Sequence, residues 1–180
     1  YNLVFSQQQI ELEPLSEAFT EARKKEGVSP YGWRPSPVVP SFANYQTGLK
    51  RRKSFGTFYD LRVADTINYV SPVRNQGVFG TCWSFAVMAS IESNWLIHTQ
   101  EEFNLSEKNM ITCHGFNWGI NDGGNASIAS AYLTRHAGLM KEKWDPYSSL
   151  TEESECQTEE LGLEPFAYIG GIRYIPPDEY

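Results

Sequence analysis

The stretch NQGVFGTCWSF, residues 75–85, places Cys82 directly after a glycine-containing turn and directly before a run of apolar residues. The run from Cys82 to about Thr99 is the strongest helical pattern in the chain, because its apolar residues recur at helical spacing and cover most of its sides. The sequence therefore predicts a buried central helix that begins at Cys82. It leaves open whether this cysteine is a packed thiol, one end of a disulfide or a nucleophile.

The composition is that of a folded domain that is neither basic nor membrane-spanning. The 180 residues are 41% apolar and 14% aromatic, which is enough for a real core. A net charge of −7 argues against a nucleic-acid partner, and no apolar run approaches the roughly 20 residues of a membrane helix. The odd count of three cysteines fits either one disulfide plus a free thiol or three free thiols.

The chain divides into an N-terminal extension, residues 1–57, and a domain, residues 58–180. The extension starts without an initiator Met, which is expected of a processed or trimmed terminus. It holds a short helical pattern at 10–26, with Ser16 as a candidate cap, and then a proline-rich stretch expected to lie extended across a surface. The basic segment 48–56 is interpreted as a solvated loop, with a binding patch or a cleavable junction as the alternatives.

Two shorter helices and a strand pattern follow the Cys82 helix. Ser106 is a candidate N-cap of the first. The second runs from about 126 to 137 and ends at Gly138, a plausible C-terminal glycine. Residues 165–180 have a strand pattern that two glycines interrupt and two prolines end.

The position of Cys82 suits a nucleophile. The first turn of a helix has unpaired N–H groups and the positive end of the dipole, and both are expected to lower the pKa of the thiol. Gln76 could donate its side-chain amide to an oxyanion beside Cys82, with the backbone N–H of Cys82 as a second donor. Gly80 would let a substrate backbone come close. Taken alone, Cys82 is more simply interpreted as a packed apolar helix residue and Gln76 as an ordinary polar turn residue.

Residues 73–85 resemble the active-site segment of papain-like cysteine proteases, peptidase family C1, in which a Gln-Gly turn leads into Gly-Ser-Cys-Trp. Four further segments resemble this family in the same order along the chain: FYDLR, LSEKNMITC, NDGGN and KWDPY. The proline-rich stretch is similar to the leader of bacterial and archaeal surface members. The resemblance implies an α+β papain-like fold, of which residues 58–180 form mainly the helical left-hand domain and lack most of the β-rich right-hand domain.

The resemblance also implies the roles of individual residues. Cys82 would be the nucleophile and Gln76 the oxyanion donor of a thiol endopeptidase that cleaves peptides and proteins, without a metal or cofactor. Residues expected to line the substrate cleft are Gly80, Trp83, Gly123 and Gly124. The alternatives are a papain-like binding or surface module that has lost catalysis, and an acyltransferase on the same scaffold.

The catalytic base is not expected within this chain. The family places its histidine about 130 to 150 residues after the cysteine, which is beyond Tyr180. His98 would lie about 24 Å along the same helix, which excludes it, and His114 and His136 are disfavoured by their positions. The His and Asn partners are therefore expected from the remaining half of the peptidase, downstream or in a separate chain, and this chain alone is expected to be inactive.

The resemblance resolves the cysteine count as well. One family disulfide corresponds to Cys113 and Cys156, and the positions of another hold Phe79 and Asn121. The expected state is thus one bridge, Cys113–Cys156, with Cys82 free. A disulfide favours an oxidising compartment, so the protein is expected outside the cell or in the cell envelope.

Overall fold

Helices carry the fold of the computed structural model, which describes residues 15–24, 32–38, 58–63, 66–172 and 174. Within these ranges, regular pairing of extended chain is limited to two isolated bridges, Trp33 with Gly124 and Leu105 with Lys141. The helix-rich architecture confirms the predicted helical half of an α+β fold. The α-helices are α1 (Glu17–Lys24), α2 (Cys82–Thr99), α3 (Glu107–Cys113) and α4 (Ala126–Thr134), and 3-10 turns span Ile120–Asp122 and Tyr147–Ser149.

Local signals determine where most of these helices begin. Helix α2 begins at Cys82, as the sequence predicts, and ends where Gln100 adopts a left-handed conformation. The Ser106 hydroxyl accepts a hydrogen bond from the Asn109 N–H at 3.0 Å, which confirms Ser106 as the N-cap of α3. Asn125 caps α4 in the same way through two N–H groups of the first turn.

The predicted end of α4 is wrong. The helix ends at Thr134, and His136, not Gly138, takes the left-handed conformation with φ 58°. Gly138 lies against the hydroxyl of the buried Tyr132, where a Cβ would overlap with it. Close packing therefore accounts for this glycine.

The predicted strand at 165–180 does not form in its described part, residues 165–172 and 174. The Leu139 N–H donates to the Ala167 carbonyl at 3.0 Å, and the Phe166 N–H donates to the Leu139 carbonyl at 2.8 Å. This contact is too short to make a strand. Residues 175–180, and most of the predicted leader including the basic segment 48–56, lie outside the described residues.

The core lies between α2, α3 and α4. Its most deeply buried apolar side chains are Met88, Leu105, Met110, Tyr132, Leu139 and Met140. Helix α2 is covered on one side only: its buried residues are Trp83, Ser84, Met88 and Glu92. The opposite side is exposed at Ala86, Ala89, Ser90, Asn94 and Ile97. The predicted burial of α2 therefore applies to one of its sides. On the other side, Leu61 lies next to Ala89 and Ile97, which nevertheless remain exposed.

A buried charge network fixes the segment that precedes the cysteine turn. Arg74 pairs with Glu92 of α2 at 3.0 Å and with Glu107 of α3 at 2.8 Å. Glu92 also accepts a hydrogen bond from the Leu105 N–H at 2.8 Å. Both carboxylates are almost fully buried and paired with one guanidinium. The Arg74 side chain therefore holds its own backbone, and the turn that follows, against the two helices.

Among the helices of the described ranges, none is both long and apolar enough to cross a membrane.

Candidate active site

Cys82 is a free, half-buried thiol at the first residue of α2. Burial raises the pKa of this thiol, and the Trp83 backbone N–H opposes the rise in part. The predicted lowering of the Cys82 pKa is thus wrong for this chain. Loss of water contact on burial disfavours the thiolate more than one N–H stabilises it, and no charged side chain of the described residues acts on the thiol. The thiol needs a cationic partner to ionise near neutral pH.

The turn before Cys82 is held by its own side chains. Asn75 accepts a hydrogen bond from the Gly77 N–H at 2.8 Å, and the Gln76 side-chain amide donates to the Phe79 carbonyl at 2.8 Å. The Thr81 N–H donates to the same carbonyl at 2.9 Å. A primary amide has two N–H donors, so this bond leaves one donor of Gln76 for a bound oxyanion.

Asn121 links this turn to the loop that carries the glycine pair. Its side-chain oxygen accepts a hydrogen bond from the Gly80 N–H at 3.3 Å, and its nitrogen donates to Glu152 at 2.9 Å. The resemblance places one half of a missing disulfide at Asn121 and the other at Phe79. The hydrogen bond between Asn121 and Gly80, the residue after Phe79, thus connects the same two loops that the missing disulfide would connect.

Gly124 lies directly on the indole of Trp83. A Cβ at Gly124 would overlap with the indole ring, so only glycine fits there. Trp83 is buried and its ring lies 6.4 Å from that of His114, centroid to centroid. Trp83 therefore supports the glycine backbone from below. Gly80, Gly123 and Gly124 come together around Gly32, and all four are buried. We call the main chain of Gly80, Gly123 and Gly124 the glycine groove.

The N-terminal extension occupies this surface. The Gly124 N–H donates to the Gly32 carbonyl at 2.7 Å, and the Arg34 N–H donates to the Gly124 carbonyl at 2.9 Å. Residues 32–34 therefore pair with Gly124 in parallel, through Trp33. Gly32 has φ 80° and packs on the Gly80 carbonyl, where a side chain would not fit. The sequence predicts an extended leader on a surface, but its location in the glycine groove was not predicted.

Side chains fix the leader beyond these backbone bonds. Arg34 donates to the Asp122 carbonyl at 2.8 Å and to the Ala22 carbonyl of α1 at 3.1 Å. The Ser36 hydroxyl lies 2.6 Å from that of Ser127 in the first turn of α4. Phe19 of α1 stacks on Trp118, with ring centroids 6.4 Å apart. Helix α1 and residues 32–38 together lie against Gly80, the loop that carries Gly123 and Gly124, and the start of α4.

None of the three histidines of the chain is hydrogen-bonded to Cys82. His98 is exposed near the far end of α2. His114 is buried, its Nδ1 accepts from the Phe116 N–H at 3.1 Å, and burial together with Arg135 lowers its pKa. The His136 ring lies against Tyr168, 5.1 Å between centroids. All three histidines are thus placed away from a role as base for Cys82.

The disulfide Cys113–Cys156 is present, which confirms the pairing that the resemblance implies. It joins the end of α3 to a segment 43 residues further along the chain. The bridge leaves Cys82 as the free thiol of a chain with three cysteines. The odd count is therefore resolved as one bridge and one free thiol.

Comparison with known proteins agrees with this arrangement. A family model described as papain family cysteine protease matches residues 56–179. A viral cathepsin of Orgyia pseudotsugata multicapsid polyhedrosis virus is 35% identical over 106 residues, which are 59% of this chain and 30% of that protein. Cysteine protease 1 of Oryza sativa subsp. japonica is 40% identical over 112 residues, 61% of this chain and 22% of that protein.

Solved structures show the same likeness. A recombinant stem bromelain precursor superposes with a TM-score of 0.50 at 28% identity, over 62% of this chain and 34% of that one. A structure from a study of the mite allergens Blo t 1 and Der p 1 gives a TM-score of 0.54 at 25% identity, over 68% of this chain and 39% of that one. The chain thus spans 22% to 39% of the length of these relatives and structures.

Proposed function

This chain belongs to the papain family of cysteine proteases, and we propose that it carries the nucleophile-bearing half of a thiol endopeptidase. The observation that supports this proposal is the free Cys82 thiol at the start of α2, beside a glycine groove that already pairs with an extended peptide. Main-chain pairing of this kind recognises a peptide backbone without regard to its side chains. Peptides and proteins are therefore the proposed substrates.

The proposed reaction proceeds through an acyl-enzyme. The Cys82 thiolate attacks the scissile carbonyl carbon, and the carbonyl electron pair moves to the oxygen. The second N–H of the Gln76 amide and the backbone N–H of Cys82 donate to this oxyanion. The oxyanion collapses as the amine leaves with a proton from the base, and water then releases the acyl group as a carboxylic acid.

The base is proposed to come from the remaining half of the peptidase. Burial raises the pKa of Cys82, so a thiolate near neutral pH requires an imidazole that becomes an imidazolium beside it. The exposed side of α2 is the proposed surface for that half, because it presents small and apolar residues from Ala86, close to the nucleophile, through Ala89 to Ile97 near the far end of the helix. By itself the chain is proposed to be inactive.

The leader is proposed to keep the groove closed. Residues 32–34 use the backbone groups of Gly124 that a substrate strand would need, so a substrate binds only after the leader leaves.

The disulfide favours an oxidising compartment, which supports a location outside the cell or in the cell envelope.

A second candidate function is a papain-like peptide-binding module without catalysis. The raised pKa of Cys82 favours it, since an inert thiol would have the same environment. Both functions use the same groove, and they differ in whether Cys82 is needed.

The test uses the complete protein that contains this chain, with the leader removed. We expect cleavage of a denatured protein substrate, labelling of Cys82 alone by an epoxysuccinyl probe, and loss of both in Cys82→Ala. Peptide binding should persist in Cys82→Ala, which serves as the folded control. Retained peptide binding with no turnover and no labelling in the unsubstituted protein would establish the binding module instead.

A further inference from the structure

One phenol joins both ends of the turn that leads into Cys82. The Tyr147 hydroxyl oxygen lies 2.7 Å from the Gln76 carbonyl oxygen and 2.7 Å from the Thr81 hydroxyl. A carbonyl only accepts, so the Tyr147 proton goes to Gln76 and the Thr81 hydroxyl donates to Tyr147. The two ends of the residue 76–81 turn are therefore held by a single atom from a segment 66 residues away from Thr81.

The surroundings of this phenol keep it a donor. Burial raises the pKa of Tyr147 above its ordinary value, so the hydroxyl stays protonated at any pH at which a cysteine protease works. Thr81 is fully buried, and the Tyr147 ring packs edge-on against Phe85 of α2 at 4.8 Å between centroids. The packing fixes the ring, and the ring in turn fixes the position of its hydroxyl.

The backbone of Tyr147 is also anchored. Its N–H donates to one carboxylate oxygen of Glu142 at 2.8 Å, at the start of the 3-10 turn Tyr147–Ser149. Tyr147 is thus held at its main chain by one loop and at its ring by α2. Such a side chain has little freedom, so its hydroxyl is a fixed point against which the turn can be positioned.

We propose that Tyr147 is a positioning residue, whose hydroxyl holds the Gln76–Thr81 turn so that the Cys82 sulfur and the Gln76 amide keep one relative placement. Without the hydroxyl, the Gln76 carbonyl and the buried Thr81 hydroxyl each lose a partner and must rearrange to find another. The turn would then shift at both ends. The effect of such a shift on catalysis rests on the proposed function, whereas its effect on the exposure of Cys82 does not.

The first experiment measures the alkylation of Cys82 by iodoacetamide in this chain without reductant. Because the other two cysteines are bridged, the label reports Cys82 alone. In Tyr147→Phe, which keeps the ring, we expect faster alkylation and an alkylation pKa closer to that of a free thiol, since the loosened turn exposes the sulfur. Tyr174→Phe is the matched control: it removes a phenol that donates to Ser130 at 2.7 Å on an exposed surface, and it should leave the profile unchanged.

Two further variants keep the test decisive if Tyr147→Phe folds poorly. Thr81→Val removes one of the two hydroxyl contacts and should change the alkylation profile in the same direction. Thr81→Ser retains the hydroxyl and should restore the original profile. In a double-mutant cycle, Thr81→Val and Tyr147→Phe should be non-additive, because they remove the same hydrogen bond.

The second experiment measures turnover by the complete protein with its leader removed. We expect Tyr147→Phe to lower kcat roughly 10- to 100-fold with little change in KM, because a displaced nucleophile mainly affects the chemical step. Unchanged alkylation and unchanged kcat in a folded Tyr147→Phe would overturn the inference and leave the proposed function intact. If the unsubstituted protein shows no Cys82-dependent turnover, the proposed function fails, and the alkylation profiles alone decide the role of Tyr147.

Discussion

The two long sides of α2 differ in what covers them. The inner side carries Met88, which is 0% exposed, and the paired carboxylate of Glu92, and both lie in the core that α2 forms with α3 and α4. The outer side carries Ala89, which is exposed although it is small and apolar, and Ile97, which is 39% exposed. Contacts within the core explain why the inner side carries apolar and charge-paired residues. They do not explain why the outer side carries apolar residues.

The same contrast appears beside the nucleophile. Arg74 is tied to two buried carboxylates, whereas its neighbour Val73 is 99% exposed, and Val78 within the cysteine turn is 92% exposed. Single exposed apolar side chains are common on protein surfaces, so these two valines carry no argument by themselves. The row of exposed small and apolar residues on α2 itself, Ala86, Ala89 and Ile97, is what supports the proposed covering of its outer side by a second half of the peptidase.

The largest expected loss of stability comes from a substitution on the inner side of α2. Met88→Ala removes a fully buried side chain from the core and should lower the free energy of unfolding by about 2–5 kcal/mol. Ile97→Ala on the outer side is the matched control and should cost well under half as much in this chain. Urea unfolding followed by circular dichroism measures both, and equal losses would show that the two sides of α2 do not differ in burial.

Features set by neighbouring residues, or by matching family segments, were predictable from the sequence. The start of α2 at Cys82, the Ser106 cap and the pairing of Cys113 with Cys156 are of this kind. The end of α4 was missed because Gly138 resembles a helix-ending glycine, whereas its lack of a side chain serves the packing of Tyr132.

Features set by contacts distant in sequence were not predictable. The pairing of Gly32 with Gly124 uses backbone atoms, which leave no side-chain pattern to detect. The direction of the Cys82 pKa shift depends on how deeply packing buries the thiol, and a helix position does not reveal that depth. The two contacts of the Tyr147 hydroxyl join segments 66 and 71 residues apart.

An intermediate effect on the free energy of unfolding is expected from the carboxyl of Glu142, which interacts with Arg74 and Glu107 of the buried charge network. Burial raises the pKa of Glu142 from its ordinary value of 4.5 to about 7, with Glu107 and Asp145 adding to the rise and the Tyr147 N–H and Arg74 opposing it. Between these two pH values the folded state therefore holds a proton that the unfolded chain releases. The free energy of unfolding should fall as pH rises from 4.5 to 7, and the loss should be complete above about pH 7.

Glu142→Gln tests this pH dependence, because the amide does not ionise. The variant should lose less stability than the unsubstituted chain between pH 5 and pH 8, as measured by urea unfolding at each pH. Some slope of the same sign should remain, since burial also raises the pKa of Glu107. Glu153→Gln, on an exposed residue, should leave the slope unchanged. A wild-type slope in Glu142→Gln would show that this carboxyl ionises normally.

The smallest expected effect in this chain comes from the outer side of α2. Ala89→Lys places a charge on an exposed helical position and should change the free energy of unfolding of this chain by less than about 0.5 kcal/mol. In the complete protein the same lysine would be buried against the second half, and the cost of desolvating it should abolish turnover or separate the halves. Ala89→Ser, at the same position but small, should be tolerated in both. If Ala89→Lys leaves turnover of the complete protein unchanged, nothing covers the outer side of α2, and the base must reach Cys82 from another direction.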